Sequence, residues 1–171
     1  NVVPAEVCME SYVRAKTVAA MLDANKKVNR ALEAGAMAVG AEVEIHEMPG
    51  YLPMVNDEAL TTLYAENVRA RIGEDSVRRL DHSSGSTDMG DVSHIMPVIH
   101  PWFGGGTKGT VHTREFRVSD EEMAYLLPAI TMADTIIDLL SAGAEKAEQV
   151  LAEYTPVMTK EEYLAFMESI H

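Results

Sequence analysis

The hydrophobic period of the first 48 residues changes twice, and this restricts the fold more than any other feature of the chain. Residues 3–14 alternate, with Val7, Met9 and Val13 on one side and Glu6, Cys8, Glu10, Tyr12 and Arg14 on the other. That is the two-residue period of a strand with one face in a core. Over 17–38 the spacing becomes helical through Val18, Met21, Leu22, Val28, Leu32 and Ala36, with Thr17 as the expected cap and Gly40 as the stop. Residues 41–48 alternate again, Val43 and Ile45 against Glu42, Glu44 and His46. A strand–helix–strand layer of this kind needs further strands to close its sheet. The expected fold class is therefore α/β or α+β, with a boundary near residue 50, where Pro49-Gly50 and Pro53 interrupt the pattern.

Beyond that boundary the pattern turns mostly helical. Asp57 opens an expected helix to about Ile72. A polar stretch at 73–94 centres on Ser83-Ser84-Gly85-Ser86-Thr87-Asp88, and residues 95–100 read as a short edge strand containing Pro97. Ser119 and Glu122 have capping-box spacing ahead of a helix to about Leu140, with a kink expected at Pro128. Shorter helices are expected at about 144–153 and 160–170.

Composition narrows the function classes. The 171 residues carry 27 acidic and 14 basic side chains, a net charge of −13. Nucleic-acid binding draws most of its affinity from cations, so this balance argues against a nucleic-acid partner. The single Cys8 excludes an intramolecular disulfide and any Cys-based zinc knuckle. It is expected as a small buried hydrophobe, and the reducing cytoplasm as the compartment. No apolar run is expected to reach the ~20 residues of a membrane span, because Asp134 and Asp138 interrupt Ala129–Leu140. No membrane partner is expected, and no signal-peptide pattern is visible at the start. The chain lacks an initiator Met and opens inside a strand pattern, which suggests a fragment or a processed product.

Few side chains suggest chemistry on their own. Gly104 to Thr110 reads G-G-G-T-K-G-T, where a phosphate-binding loop needs Lys directly after its last Gly and a helix next. A flexible loop is the expectation instead. Four of the six histidines, His82, His94, His100 and His112, fall within 82–112 without metal-site spacing. A satisfied or solvated role is the ordinary reading of each. His112 differs in context, because it follows the glycine loop and precedes a capped helix. Asn1 and Arg14 bracket the first strand; alone, they read as a turn residue and a surface arginine.

Together these pieces fall in a known order. Asn1-Val2-Val3-Pro4, Val13-Arg14-Ala15, Gly40-Ala41-Glu42-Val43 and Pro49-Gly50-Tyr51-Leu52-Pro53 with Asn56-Asp57 resemble the lid of M20 metallopeptidases and amidohydrolases and its exit into the catalytic domain. Gly85-Ser86-Thr87-Asp88-Met89-Gly90-Asp91-Val92-Ser93, then Pro97 and Ile99-His100-Pro101, resembles the aminobenzoyl-glutamate utilisation branch and its dipeptidase relatives. His112-Thr113 resembles the family's last metal ligand. The resemblance implies that residues 1–50 are the C-terminal half of a ferredoxin-like lid and dimerisation domain. It implies that 51–171 are the C-terminal part of a mixed-sheet catalytic domain. It further implies hydrolysis of the amide bond of an N-acyl amino acid or dipeptide, with two divalent metal ions, zinc or else manganese or cobalt. Asn1 and Arg14 would grip the free carboxylate of a small substrate, and His112 would ligate one metal. The whole protein would form a homo-oligomer through its lids.

The departure is as informative as the match. The family's other metal ligands, its general-base Glu and its lid His all precede this stretch. No catalytic residue is therefore expected within the chain. The fragment alone is expected to be inactive, to bind zinc weakly, and to associate with itself or with the missing N-terminal portion. The alternative is a non-catalytic binding or assembly module derived from the same fold. His112, Asn1 and Arg14 favour the enzyme, since a decayed site has no reason to keep them.

Overall fold

A computed structural model describes residues 1–81 and 83–170; His82, one of the clustered histidines, lies outside them. Six helices carry the architecture: α1 (Val18–Ala38), α2 (Glu58–Ile72), α3 (Met89–Val92), α4 (Leu127–Leu140), α5 (Glu145–Glu153) and α6 (Lys160–Ser169). Two short strands, β1 (Thr107–Lys108) and β2 (Arg117–Val118), pair antiparallel, Thr107 opposite Val118 and Lys108 opposite Arg117.

Helices α1, α2, α4, α5 and α6 stand close to where periodicity and capping place them, whereas α3 lies in the stretch read as polar. Thr17 Oγ1 accepts from the Ala20 N–H at 3.2 Å to start α1. Gly40, at φ 69°, ends it: the Gly40 N–H donates to Met37 O and the Ala41 N–H to Ala36 O, satisfying the last carbonyls. Asp57 caps α2 through the Leu60 N–H at 2.8 Å. Thr159 and Glu162 form a reciprocal capping box on α6. The box expected at Ser119 and Glu122 does not form. Asp120 Oδ1 accepts from the Met123 N–H, while the Ser119 N–H donates to Gly106 O. Ahead of Pro128, Glu122–Leu126 widen into a π-helical turn. Pro128 has no N–H to donate and its ring crowds the carbonyl four residues back, and a wider turn relieves both.

The expected strands are the main correction. Among the described residues no ladder joins 3–14 to 41–48, and the sheet of a ferredoxin-like lid is not formed. An alternating segment has a face but cannot supply its own hydrogen-bonding neighbour. Val7 and Met9 are therefore 77% and 64% exposed, and α1 buries no residue. Cys8 is exposed, not buried, for the same reason. Residues 95–100 also form no strand. Ile95 and Met96 donate back to Val92 O as a last helical turn, and Val98 O then accepts from the Asp57 N–H.

The core lies at α2, α4 and α5, through Leu63, Tyr64, Ala65, Val68, Leu127 and Val150. The α2–α4 seam is polar at helical spacing. Tyr64 Oη meets Thr131 Oγ1 at 3.2 Å, Asn67 reaches Thr135 and Asp138, and Arg71 grips both Asp134 oxygens at 2.7 and 2.8 Å. Burial pushes the Tyr64 hydroxyl above its ordinary pKa. One departure from the sequence expectation sits here. Glu122–Leu140 is 19 residues long with mean hydropathy 1.5, long and apolar enough by length and composition to cross a membrane. Its polar side is engaged by α2, and Leu126, Ile130, Ile137 and Leu140 form an exposed apolar stripe on the other side.

A second cluster fixes the chain between residues 52 and 57. Asp91 accepts from the Leu52 N–H at 2.9 Å, and Ser93 Oγ accepts from the Val55 N–H at 3.0 Å while donating to Gly90 O. A Cβ on Gly90 would lie 1.9 Å from the Leu52 carbonyl oxygen. Gly90→Ala should therefore destabilise the chain by about 1–3 kcal/mol. Gly35→Ala, inside α1 with nothing within 4 Å, should stabilise it by about 0.5–1 kcal/mol. Denaturant unfolding of the two variants beside the parent sequence measures both.

The Arg71 guanidinium holds Asp134 below its ordinary pKa of 3.8. A lowered folded-state value stabilises the protein above the ordinary carboxylate pKa, and the effect fades as pH falls through the folded value. Asp134→Asn should thus melt below the parent at pH 7, with the gap closing below about pH 4. Melting curves from pH 7 to 3 check the sign.

Candidate functional site

Each residue singled out in the sequence has a distinct placement. Asn1 is exposed. Arg14 is exposed yet engaged: one Nη donates to Ser84 O at 2.8 Å, and the guanidinium lies 5.4 Å from the centre of the Tyr12 ring. Two residues on, Lys16 pairs with Asp81 at 2.5 Å. The end of the first extended segment is thus tied to the 81–84 loop, just before the S-T-D-M-G-D-V-S string. Nothing in residue type announced this, because Arg14 bonds a main-chain carbonyl that any residue could offer.

His112 stands on the connection between β1 and β2. The base of that hairpin is rigid. The Ser119 and Asp120 N–H groups both donate to Gly106 O. A Cβ on Gly106 would meet Ala124 N at 2.6 Å, and one on Gly109, at φ 85°, would meet Glu115 O at 2.4 Å. The loop expected to be flexible is therefore close-packed at two of its glycines, and backbone approach is what they permit. At the tip Thr113 donates its N–H and hydroxyl to Thr110 O, and His112 takes φ 66°. His112 is exposed at that tip. The Thr113 hydroxyl, with a backbone N–H, also holds the Glu115 carboxyl below its ordinary pKa.

Two other histidines, His94 and His100, have structural contacts. His94 is 2% exposed, with Nδ1 2.8 Å from Gly90 O and its carbonyl accepting from the Met158 N–H. His100 donates its backbone N–H to Asn56 Oδ1 and sets its ring edge-on to Trp102 at 5.9 Å. Asp91 supports the 52–55 segment, whereas Asp88 stands before α3 without capping it. The S-T-D-M-G-D-V-S string therefore works here as a backbone clamp.

These placements decide what the site can hold. Among the described residues no group of three His, Cys, Asp or Glu could hold a metal ion. Two metals need several ligands and a bridging carboxylate, so the described donors do not fit a two-metal centre by themselves. Two clefts of about 230 and 240 Å³, one beside Asn25 and Glu47 and one beside Arg71 and Glu122, include none of Asn1, Arg14 or His112.

Comparison with known proteins accounts for this half-equipped site. Residues 5–161 match Peptidase family M20/M25/M40. The chain belongs to this family. Its members are metal-dependent peptidases. The chain is 31% identical to a mouse (Mus musculus) Xaa-Arg dipeptidase over 96% of its own length and 39% of that protein. It is 33% identical to the human (Homo sapiens) Xaa-Arg dipeptidase, over 82% of the chain and 34% of the relative. It is also 22% identical to an N-acetyldiaminopimelate deacetylase of Enterococcus faecalis (strain ATCC 700802 / V583), over 77% of the chain and 35% of the relative. The chain thus spans under two fifths of the length of these curated relatives. No solved structure matches it.

The left-handed backbone at His112 has a measurable consequence. His112→Gly should raise the stability of the chain by about 1 kcal/mol, because glycine adopts φ 66° without steric cost. Chemical denaturation of the variant reads the gain; a loss would show the imidazole contributing to the fold.

Proposed function

We propose that this chain is the C-terminal portion of an amidohydrolase or peptidase that cleaves the amide bond of an N-acyl amino acid or dipeptide with a free carboxylate. The S-T-D-M-G-D-V-S string supports an aminobenzoyl-glutamate-like substrate. The carrying observation is the bond of Arg14 to Ser84 O, beside an exposed His112 on the β1–β2 hairpin. The relatives support amide hydrolysis, since one kind is named a dipeptidase and the other a deacetylase.

In this reading residues 1–50 belong to a lid and 51–171 to a catalytic domain. Arg14 and Asn1 hold the substrate carboxylate. A guanidinium offers two parallel N–H donors to a carboxylate, and the amide adds a directional third. Ser84 O and the Tyr12 ring pre-position the Arg14 fork, so less rotamer freedom is lost on binding. His112 supplies one ligand to a divalent metal pair, zinc or else manganese or cobalt, whose other ligands come from the rest of the enzyme. The metal supplies Lewis-acid activation when bound.

Exposed apolar surface supports a larger assembly. Val7 and Met9 at the unformed sheet, and Leu126, Ile130, Ile137 and Leu140 on α4, are faces that pack in a finished two-layer domain. The missing N-terminal portion is proposed to cover the α4 stripe, and a second copy to meet the lid.

In the full-length enzyme Arg14→Ala should lower kcat/KM on a free-carboxylate substrate by about ten-fold or more, from the ~1.5–3 kcal/mol of a charge-assisted bond. A carboxamide-terminated analogue should lose much less, and Arg14→Lys should fail to restore the parent rate. Equal losses on both substrates would make Arg14 structural and remove the clamp.

A further inference from the structure

Helix α6 reaches both sides of a joint that the chain itself makes with only residues 48–51. Glu47 closes the first side. Its Oε1 accepts from the Asn25 side-chain amide at 2.9 Å and from that of Asn29, so residue 47 moves with α1. Leu52 opens the second side, where its N–H donates to Asp91 and its carbonyl seats against Gly90. Between these fixed points Met48 and Tyr51 are 87% and 55% exposed, and a Cβ on Gly50 would meet nothing within 4 Å. So open a stretch contributes little to the angle between its two sides.

On α6, Tyr163, Phe166 and Met167, followed by Ile170 at its end, are half-buried at i, i+3, i+4, i+7 spacing, while Lys160, Glu161, Leu164 and Glu168 stay exposed. That is one inward face on a helix whose start is fixed by the Thr159–Glu162 box. The early end is tied to the 52–57 clamp. The Met158 N–H donates to His94 O at 3.0 Å, and burial, together with the charge of Asp91, raises the Tyr163 hydroxyl above its ordinary pKa. The late end faces α1, because Phe166, Ser169 and Ile170 share the cleft of about 230 Å³ with Leu22, Asn25 and Glu47. A helix of 10 residues is about 15 Å long, enough to run past so short a joint. We infer that α6 is a strap whose late end seats on α1 through Leu22, Phe166 and Ile170 and sets the angle of the first 48 residues to the rest of the chain. The strap is detachable, because the cleft it shares with α1 is open to solvent and α1 has no fully buried residue. It also differs in kind from the tie on the other side of the joint. Arg14–Ser84 and Lys16–Asp81 are exposed polar contacts that salt weakens, whereas the apolar seat has no charge to screen. The strap works in the same way whatever reaction the enzyme performs.

The test uses the full-length enzyme carrying Cys8→Ser, Lys26→Cys and Ser169→Cys. Positions 26 and 169 line the cleft without belonging to the apolar seat. A short bismaleimide is added, and peptide mass spectrometry follows the rate of the 26–169 link. The link should form at low and at high salt alike. Phe166→Ser/Ile170→Ser should slow it by about ten-fold, the shift expected when two half-buried apolar side chains lose their contacts. Leu22→Ser should slow it as well, although it leaves the sequence of α6 untouched. The melting temperature of both variants should stay near that of the parent, since the α2–α4 seam lies elsewhere. Failure to form the link in the parent overturns the strap, and so does a link that forms at the parent rate in the Phe166/Ile170 variant. A link lost at high salt would assign the angle to the Arg14 and Lys16 contacts instead. Slowing by the α6 substitutions but not by Leu22→Ser would show a helix that merely frays, and would remove its seat on α1.

Discussion

The contact of the Leu52 carbonyl with the α carbon of Gly90 sets the path of everything around it. The oxygen occupies the place of a side chain, so position 90 must be glycine. Asp91 and Ser93 then take the Leu52 and Val55 N–H groups, and Ser93 and His94 close back on Gly90 O. From there the chain enters α2 through the Asp57 cap, and Tyr154 and Met158 tie the C-terminal helices to Ser93 and His94. The 52–57 backbone, buried at Leu52 and exposed at Val55 and Asn56, thus has polar groups satisfied without a sheet.

Helices were legible in the sequence because both their faces and their ends are written locally. Thr17, Gly40 and Asp57 act where their chemistry says they should. Strands were not legible in the same way. Alternation at 3–14 and 41–48 fixes which side chains share a face, but a ladder needs a partner, and no partner segment lies within these residues. The Ser119 box failed for a related reason: two candidate caps stood side by side, and Gly106 O captured the Ser119 N–H, leaving Asp120 to cap.

The site was legible in part. The glycine run G-G-G-T-K-G-T looks like slack in a sequence, and only the neighbours of Gly106 and Gly109 reveal close packing. His112 could be picked out by its position, but its φ of 66° could not. The S-T-D-M-G-D-V-S string was the most specific resemblance, and in the structure it is a clamp on the 52–55 backbone. A motif can be diagnostic of a family because it builds the scaffold that a site stands on.

The first 48 residues meet the rest through exposed polar contacts and through a cleft that Leu22 shares with Phe166 and Ile170 of α6, with no fully buried residue on α1. Helix α1 buries nothing, and its cross-links run from Asn25 and Asn29 to Glu47 within the same segment. Outward, the segment offers Arg14 to Ser84 O and Lys16 to Asp81, both exposed. Exposed ion pairs contribute about 0–1 kcal/mol each and weaken with salt. By contrast, α2 and α4 share buried apolar residues and a bidentate Arg71–Asp134 pair. Local stability is therefore expected to be higher at the α2–α4 seam than at the exposed Arg14 and Lys16 contacts. A joint made of a few exposed polar bonds can open and reform at little cost.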